Sequence, residues 1–161
     1  MTASSFWKSV RTRAVSPTQA VRPVRSGDRV FVHGAAATPT PLLEALAARG
    51  DLADVRIYRL HTEGPAPHIA AGREGAFRAV SLFTGAPLRQ AVEDGRADFV
   101  PIFLSDIPGL FLSAGVKLDV AMLQLSAPDE HGLCSLGTST DAAKVSAAAL
   151  GDRACGARLR Q

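Results

Sequence analysis

A chain of 161 residues, 47% hydrophobic and 20% charged, is long enough for one domain that buries roughly two-thirds of its unfolded surface, and this balance excludes a disordered polyelectrolyte. No apolar run approaches the ~18 residues needed to span a bilayer, so a membrane helix is excluded as well. The net charge of +3 sits at the ends: residues 1–29 carry six basic side chains against one acidic, 151–161 three against one, and 30–150 nine against thirteen. A mildly acidic body, with Phe6 and Trp7 the only aromatics near the basic start, argues against a nucleic-acid surface.

Residues 1–15 are acid-free and rich in Ser, Thr and Arg, a composition similar to a short transit peptide. The plainer expectation is a basic, poorly ordered start to the first helix. Cys134 and Cys155 make no disulfide framework, which places the chain in the cytoplasm.

Ser16-Pro17-Thr18-Gln19 opens a helix with a capping residue, Pro in the first turn and Gln three residues after the cap. Pro23 should kink or shorten it, and Gly27 closes it. Residues 29–33 (RVFVH) read as the first strand. Residues 39–49 form a helix with Leu42, Leu43, Leu46 and Ala47 on one face and Gly50 as the stop. Residues 55–60 are the second strand, followed by a Gly- and Pro-rich loop over 61–75. Residues 77–83 are the third strand, and Gly85-Ala86-Pro87 begins a helix reaching Asp94. Residues 98–104 are the fourth strand, where Pro101 demands an edge position or a bulge.

Ser105-Asp106 caps a short helix broken by Pro108. Residues 117–125 are the fifth strand, nearly all apolar from Val120 onward and so covered on both faces. A helix over 141–150 carries Ala142, Val145, Ala149 and Leu150 near one face, with no strand pattern behind it in the tail GDRACGARLRQ. Strands alternating with helices at this spacing define an α/β fold, a mostly parallel open sheet with crossover helices. The domain should span 16–150, with 151–161 a disordered basic tail.

Ligands of such sheets bind outside the carboxyl ends of the strands. Three strand ends carry suitable residues. Gly34 and Ala35 begin a small-residue turn (HGAAATP) that lets backbone approach a ligand, although it lacks the G-x-G-x-x-G of a dinucleotide site. Thr84 and Gly85 follow the third strand. Pro128, Asp129, His131 and Gly132 follow the fifth. A histidine between carboxylates suits proton transfer near neutral pH, while Pro128-Asp129 and His131-Gly132 equally suit a plain tight turn. His131 and Cys134 would fill at most half of a tetrahedral metal site, so no metal is expected. Ser81 and Ser135 lack the G-x-S-x-G elbow of a hydrolase.

Several segments together carry a resemblance: Ser26-Gly27-Asp28-Arg29-Val30 leading into HGAAATP, Phe77-Arg78 with Ser81-Leu82-Phe83, Arg89-Gln90-Ala91-Val92 through Gly95-Arg96-Ala97-Asp98, and SAPDEHGLCSLGTSTD. Over roughly residues 16–149 the chain resembles the N-terminal domain of the acetyl-CoA hydrolase/CoA-transferase family, in its branch similar to 4-hydroxybutyrate CoA-transferase. The last segment is the specific one. Two departures are mild: Ala127 stands where the family's turn has the first of two prolines, and Thr140 where a β-branched apolar residue is common.

The resemblance implies a ping-pong transfer of CoA between an acyl-CoA and a small carboxylate, with coenzyme A as substrate and no cofactor. A glutamate attacks the thioester to give an acyl-glutamyl anhydride, then a glutamyl-CoA thioester, which the acceptor carboxylate resolves. That glutamate belongs to the family's second domain, and no residue here matches its context, so no catalytic residue is assigned. The expectation is therefore a fragment or half of a split enzyme of acetate metabolism, inactive alone, with a missing or separate C-terminal partner domain and a homo-oligomeric full-length form. Gly34, Ala35, Thr84, Gly85, Pro128, Asp129, His131 and Gly132 are expected to line the substrate cleft. Two other readings remain open: a non-catalytic binding or scaffold module that pairs with a separate second half, and a sugar-phosphate isomerase-like enzyme.

Overall fold

The computed structural model describes residues 14–113, 115–127, 129–131, 133–150 and 154–157. Among these residues six strands form one sheet in which every neighbouring pair is parallel. They are β1 (Arg29–Val32), β2 (Val55–Arg59), β3 (Phe77–Ser81), β4 (Ala97–Phe99), β5 (Val120–Gln124) and β6 (Ala154–Ala157), in the order β4-β3-β2-β1-β5-β6. The chain thus winds outward from β1 to β4, then returns to lay β5 against the other side of β1. Val30 pairs with Ile57 on one side and Val120 on the other.

The helices among the described residues are α1 (Pro17–Ala20), α2 (Thr40–Ala47), α3 (Ala86–Glu93), α4 (Ile107–Leu112) and α5 (Ala143–Leu150), with 3₁₀ turns at Pro67–Ile69 and Leu104–Asp106. One face of the sheet presents Val30, Val32, Val55, Ile57 and Met122 to Leu42, Leu43 and Leu46 of α2 and to Val21 beside α1. On the same side, Leu88 and Ala91 of α3 cover Ala79. The opposite face presents Phe31, Tyr58, Val80 and Ala121 to Ile107 and Phe111 of α4 and to Ala143 of α5. Phe111 meets both Phe31 and Tyr58 edge-on, at centroid distances of 5.7 and 6.2 Å. Burial on both faces explains why the inner strands are near-continuous apolar runs rather than alternating ones.

The capping box at Ser16 and Gln19 forms as its sequence dictates, but α1 ends after one turn, ahead of Pro23. The fourth strand is shorter than its apolar run, ending at Phe99, and it takes the sheet edge, where Pro101 removes no ladder bond. Pro108 does not break α4. It lies in the first turn, where its missing N–H is no loss, so it starts the helix instead.

Two expectations for the C-terminal end are overturned. Residues 154–157, which show no strand pattern, pair in parallel with β5, Cys155 opposite Met122. The expected apolar face of α5 is covered in large part: Ala142, just before the helix, is buried and Val145 and Leu150 pack partly against the core, while Ala149 is exposed. The disorder expected at 1–15 and 151–161 falls largely outside the described residues.

Candidate functional site

The two directions of winding part between β1 and β5, and a crevice at the carboxyl ends of these strands is where an open α/β sheet takes a ligand. His33, the first residue after β1, ties that point together. It is fully buried; its Nδ1 accepts from the Gln124 N–H at 3.3 Å, which places the ring proton on Nε2, and Nε2 donates to the Ser139 carbonyl. One side chain thereby fixes the end of β5 and the loop before α5 against β1.

Gly34 follows, and only glycine fits: a Cβ there would stand 2.7 Å from the His61 carbonyl oxygen, closer than real contacts allow. The same oxygen accepts from the Ala35 N–H at 2.6 Å, and Ala35 takes a left-handed φ of 49° to make this turn. Thr38 extends the clasp. Its hydroxyl donates to the Ala35 carbonyl at 2.8 Å and accepts from the Glu63 N–H at 3.1 Å. The loops after β1 and β2 are thus stitched by backbone and hydroxyl groups, with Asp141 alongside, its Oδ2 3.7 Å from where a Gly34 Cβ would be.

His61 links this loop pair to the end of β3. A Cβ on Gly85 would lie 3.5 Å from that of His61, and the His61 ring meets Phe83 edge-on at 5.7 Å. Thr84 is held by its hydroxyl, 2.9 Å from Ser81 Oγ, so Ser81 is a packed strand residue. Of the expected cleft residues, Gly34, Ala35, Thr84 and Gly85 therefore gather around His61. Among the described residues no three His, Cys, Asp or Glu side chains stand together as metal ligands.

The fifth-strand group behaves differently. Asp129 accepts from the backbone N–H groups of His131 and Leu133, both at 2.9 Å, and Ser126 and Ser135 pair across the base of the same hairpin. The turn reading accounts for Asp129. His131 is exposed, 3.6 Å from an exposed Glu130. Pro128 and Gly132 lie outside the described residues.

One further group was not read from the sequence. Arg59, at the end of β2, is 2% exposed and donates to His68 Nε2 at 3.0 Å. An arginine can only donate, so His68 is neutral with its proton on Nδ1. Burial lowers the Arg59 pKa to about 10, and burial aided by the Arg59 charge lowers that of His68 to about 3. The buried side-chain polar atoms without a partner among the described residues are Arg59 Nε, Thr62 Oγ1, His68 Nδ1 and Gln124 Oε1. Arg59, Thr62 and Gln124 all sit at or just past strand ends on the same edge of the sheet, and native interiors leave few such atoms unpaired.

An open parallel sheet with helices on both faces and stitched loops at its winding reversal defines an α/β domain of the kind that takes ligands at the carboxyl ends of its strands. The family model described as acetyl-CoA hydrolase/transferase N-terminal domain matches residues 7–151, and the chain belongs to this family. It is 46% identical over 125 residues to a succinyl-CoA:acetate/propanoyl-CoA:succinate CoA transferase of Fasciola hepatica, covering 76% of this chain and 26% of that protein. It is 33% identical over 143 residues to 4-hydroxybutyrate coenzyme A transferase of Clostridium kluyveri, covering 88% and 33%. Among solved structures, RipA from Yersinia pestis superposes with a TM-score of 0.72 at 28% identity, covering 84% of this chain and 34% of that one. The chain therefore spans about a quarter to a third of the length of these relatives.

Proposed function

We propose that this domain forms one wall of a CoA-transferase site, in which CoA passes between an acyl-CoA and a small carboxylate of acetate metabolism in the cytoplasm. The carrying observation is the convergence of Gly34, Ala35, His61, Thr84 and Gly85 at the carboxyl ends of β1 to β3, next to the winding reversal. Three physical features support it. The Gly34–His61 approach leaves backbone, not side chains, at the crevice wall, which suits close approach of a thioester. The Thr38 and His33 bonds hold the loops rigid, as pre-organised electrostatic stabilisation requires. The third is the left-handed turn at Ala35, which brings its N–H onto the His61 carbonyl and joins the loops after β1 and β2.

In this reading residues 1–161 bind and orient substrate and do not by themselves turn it over. Asp129, the acid at the expected hairpin site, is engaged with its own turn, and the Glu63 side chain lies exposed on the loop. The nucleophilic glutamate is then supplied by a partner domain, in the same or another chain. The test is incubation of the purified chain with acetyl-CoA and a carboxylate acceptor, alone and with the second domain of a related transferase, following acyl exchange by mass spectrometry. Exchange only in the combined sample is expected. Turnover of about 1 per second by the chain alone, an ordinary enzymatic rate, would overturn this reading.

A further inference from the structure

The segment 63–75, between β2 and β3, carries a single buried side chain, His68. Gly64, Pro65, Pro67, Gly72 and Gly75 leave it little regular structure beyond the Pro67–Ile69 turn. That turn lies against α2 and β3, and His68 reaches inward from it to Arg59. The other side-chain bonds between the segment and its surroundings, among the described residues, are few. Arg96 donates to the Ile69 carbonyl at 2.8 Å, Arg73 donates to the Arg49 carbonyl at 3.3 Å, and the Glu63 N–H donates to Thr38. Ile69 adds partial packing against Leu88 and Ala91. By contrast, α2 is held by Leu42, Leu43, Leu46 and Ala47, all buried. Few buried apolar contacts mark a segment that opens before the core does.

The charged groups around His68 offer no carboxylate to a protonated ring. β2 contributes Arg59, and β3 contributes Arg78, which is bound to Asp98. Arg96 donates to the turn itself and to Asp94. Glu44 on α2, Arg89 and Glu93 on α3, and Glu63 and Glu74 on the segment are exposed. A proton on His68 would set an imidazolium against a buried guanidinium and remove the acceptor that Arg59 uses. We propose that residues 63–75 form a proton-released latch, which opens as a unit ahead of the rest of the domain and is kept open by protonation of the freed His68. This goes beyond the transferase reading and stands without it. Burial and the Arg59 charge both hold the closed ring neutral. Opening is therefore insensitive to pH above the ordinary histidine value of 6.5 and gains roughly tenfold per pH unit below it. Between pH 7 and pH 5 the open population rises about 25-fold. Opening also undoes the Glu63–Thr38 bond, so acid loosens the clasp at Ala35.

The experiment follows amide hydrogen exchange of the full chain by NMR at pH 7 and pH 5. Each pH is sampled at several sub-denaturing urea concentrations, and rates are corrected for intrinsic exchange. The amides of Glu63, Ile69 and Arg73 are hydrogen-bonded when the segment is closed. They should exchange faster than those of β1 and β5, through an opening that urea hardly accelerates because it exposes little surface. That opening should be about 25-fold more frequent at pH 5. His68→Gln keeps an acceptor for Arg59 without titrating, and should hold the rise below about threefold. In the native chain, the ring nitrogens of His68 should report a neutral imidazole at pH 5 with its proton on Nδ1. Segment amides that share the rate and urea dependence of β1 and β5 would overturn the proposal, because the loop would then open only with the whole domain. So would opening that is unchanged between pH 7 and pH 5, an equal rise in His68→Gln, or an imidazolium in the folded protein at pH 5. Should His68→Gln fail to fold, the urea dependence and the ring nitrogens of the native chain decide alone.

Discussion

Acidification from pH 7 to pH 5 should destabilise the domain through His68, and the loss can be worked from its surroundings. His68 is fully buried on the Pro67–Ile69 turn, accepting from Arg59, and its pKa falls from the ordinary 6.5 to about 3. The folded state therefore resists a proton that the unfolded chain binds freely below pH 6.5. Stability from this residue is complete above that value and is lost as pH falls toward about 3. One pKa unit is worth about 1.4 kcal/mol, so by pH 5 the loss is about 2 kcal/mol. Urea unfolding at pH 7 and pH 5, on the native chain and on His68→Gln, isolates it. Glutamine keeps an acceptor for Arg59 but does not titrate, so its pH 7 to pH 5 loss should be smaller by about 2 kcal/mol. An equal loss in both proteins would refute the neutral, buried assignment.

Gly34→Ala places a Cβ on the His61 carbonyl and should cost about 1–3 kcal/mol in chemical unfolding. His33→Phe keeps a ring but leaves the Ser139 carbonyl and Gln124 N–H unpaired, so a loss of roughly 2–4 kcal/mol is expected by the same measurement. Asp98→Asn breaks the Arg78 pair, but both side chains are more than a third exposed, so the change should stay below about 1 kcal/mol. Phe103 and Leu104 are 79% and 62% exposed, and the double substitution to Ser and Gln should reduce self-association in sedimentation velocity.

The sheet was legible because its inner strands are apolar on both faces and four of the described helices begin with a proline in the first turn, although only Ser16 caps with its side chain and Asp106 does not. Leu42, Leu43, Leu46 and Ala47 are all buried on α2, as their spacing dictates. What escaped was set by contacts distant in sequence. β6 lacks β-branched residues, and its place comes from β5 rather than from local propensity. Pro101 and Pro108 signalled correctly that something changes there, but whether each ends or begins an element depends on which N–H groups the fold leaves free. At the site, the glycines of the strand ends were readable as close-approach positions. His33 was not, because its partner Ser139 lies 106 residues away. Arg59 looked like an ordinary strand arginine, and only the fold puts it beneath the Pro67–Ile69 turn with a neutral histidine for company.

The most direct test of a substrate wall at this edge of the sheet is the map of amide shifts on titrating the full chain with acetyl-CoA. Perturbations concentrated at residues 33–38, 61–64, 84–85 and 139–141 are predicted, all of them beyond strand carboxyl ends. Perturbations centred on residues 25–28 and 51–54, at the opposite edge, or none at millimolar ligand, would contradict it.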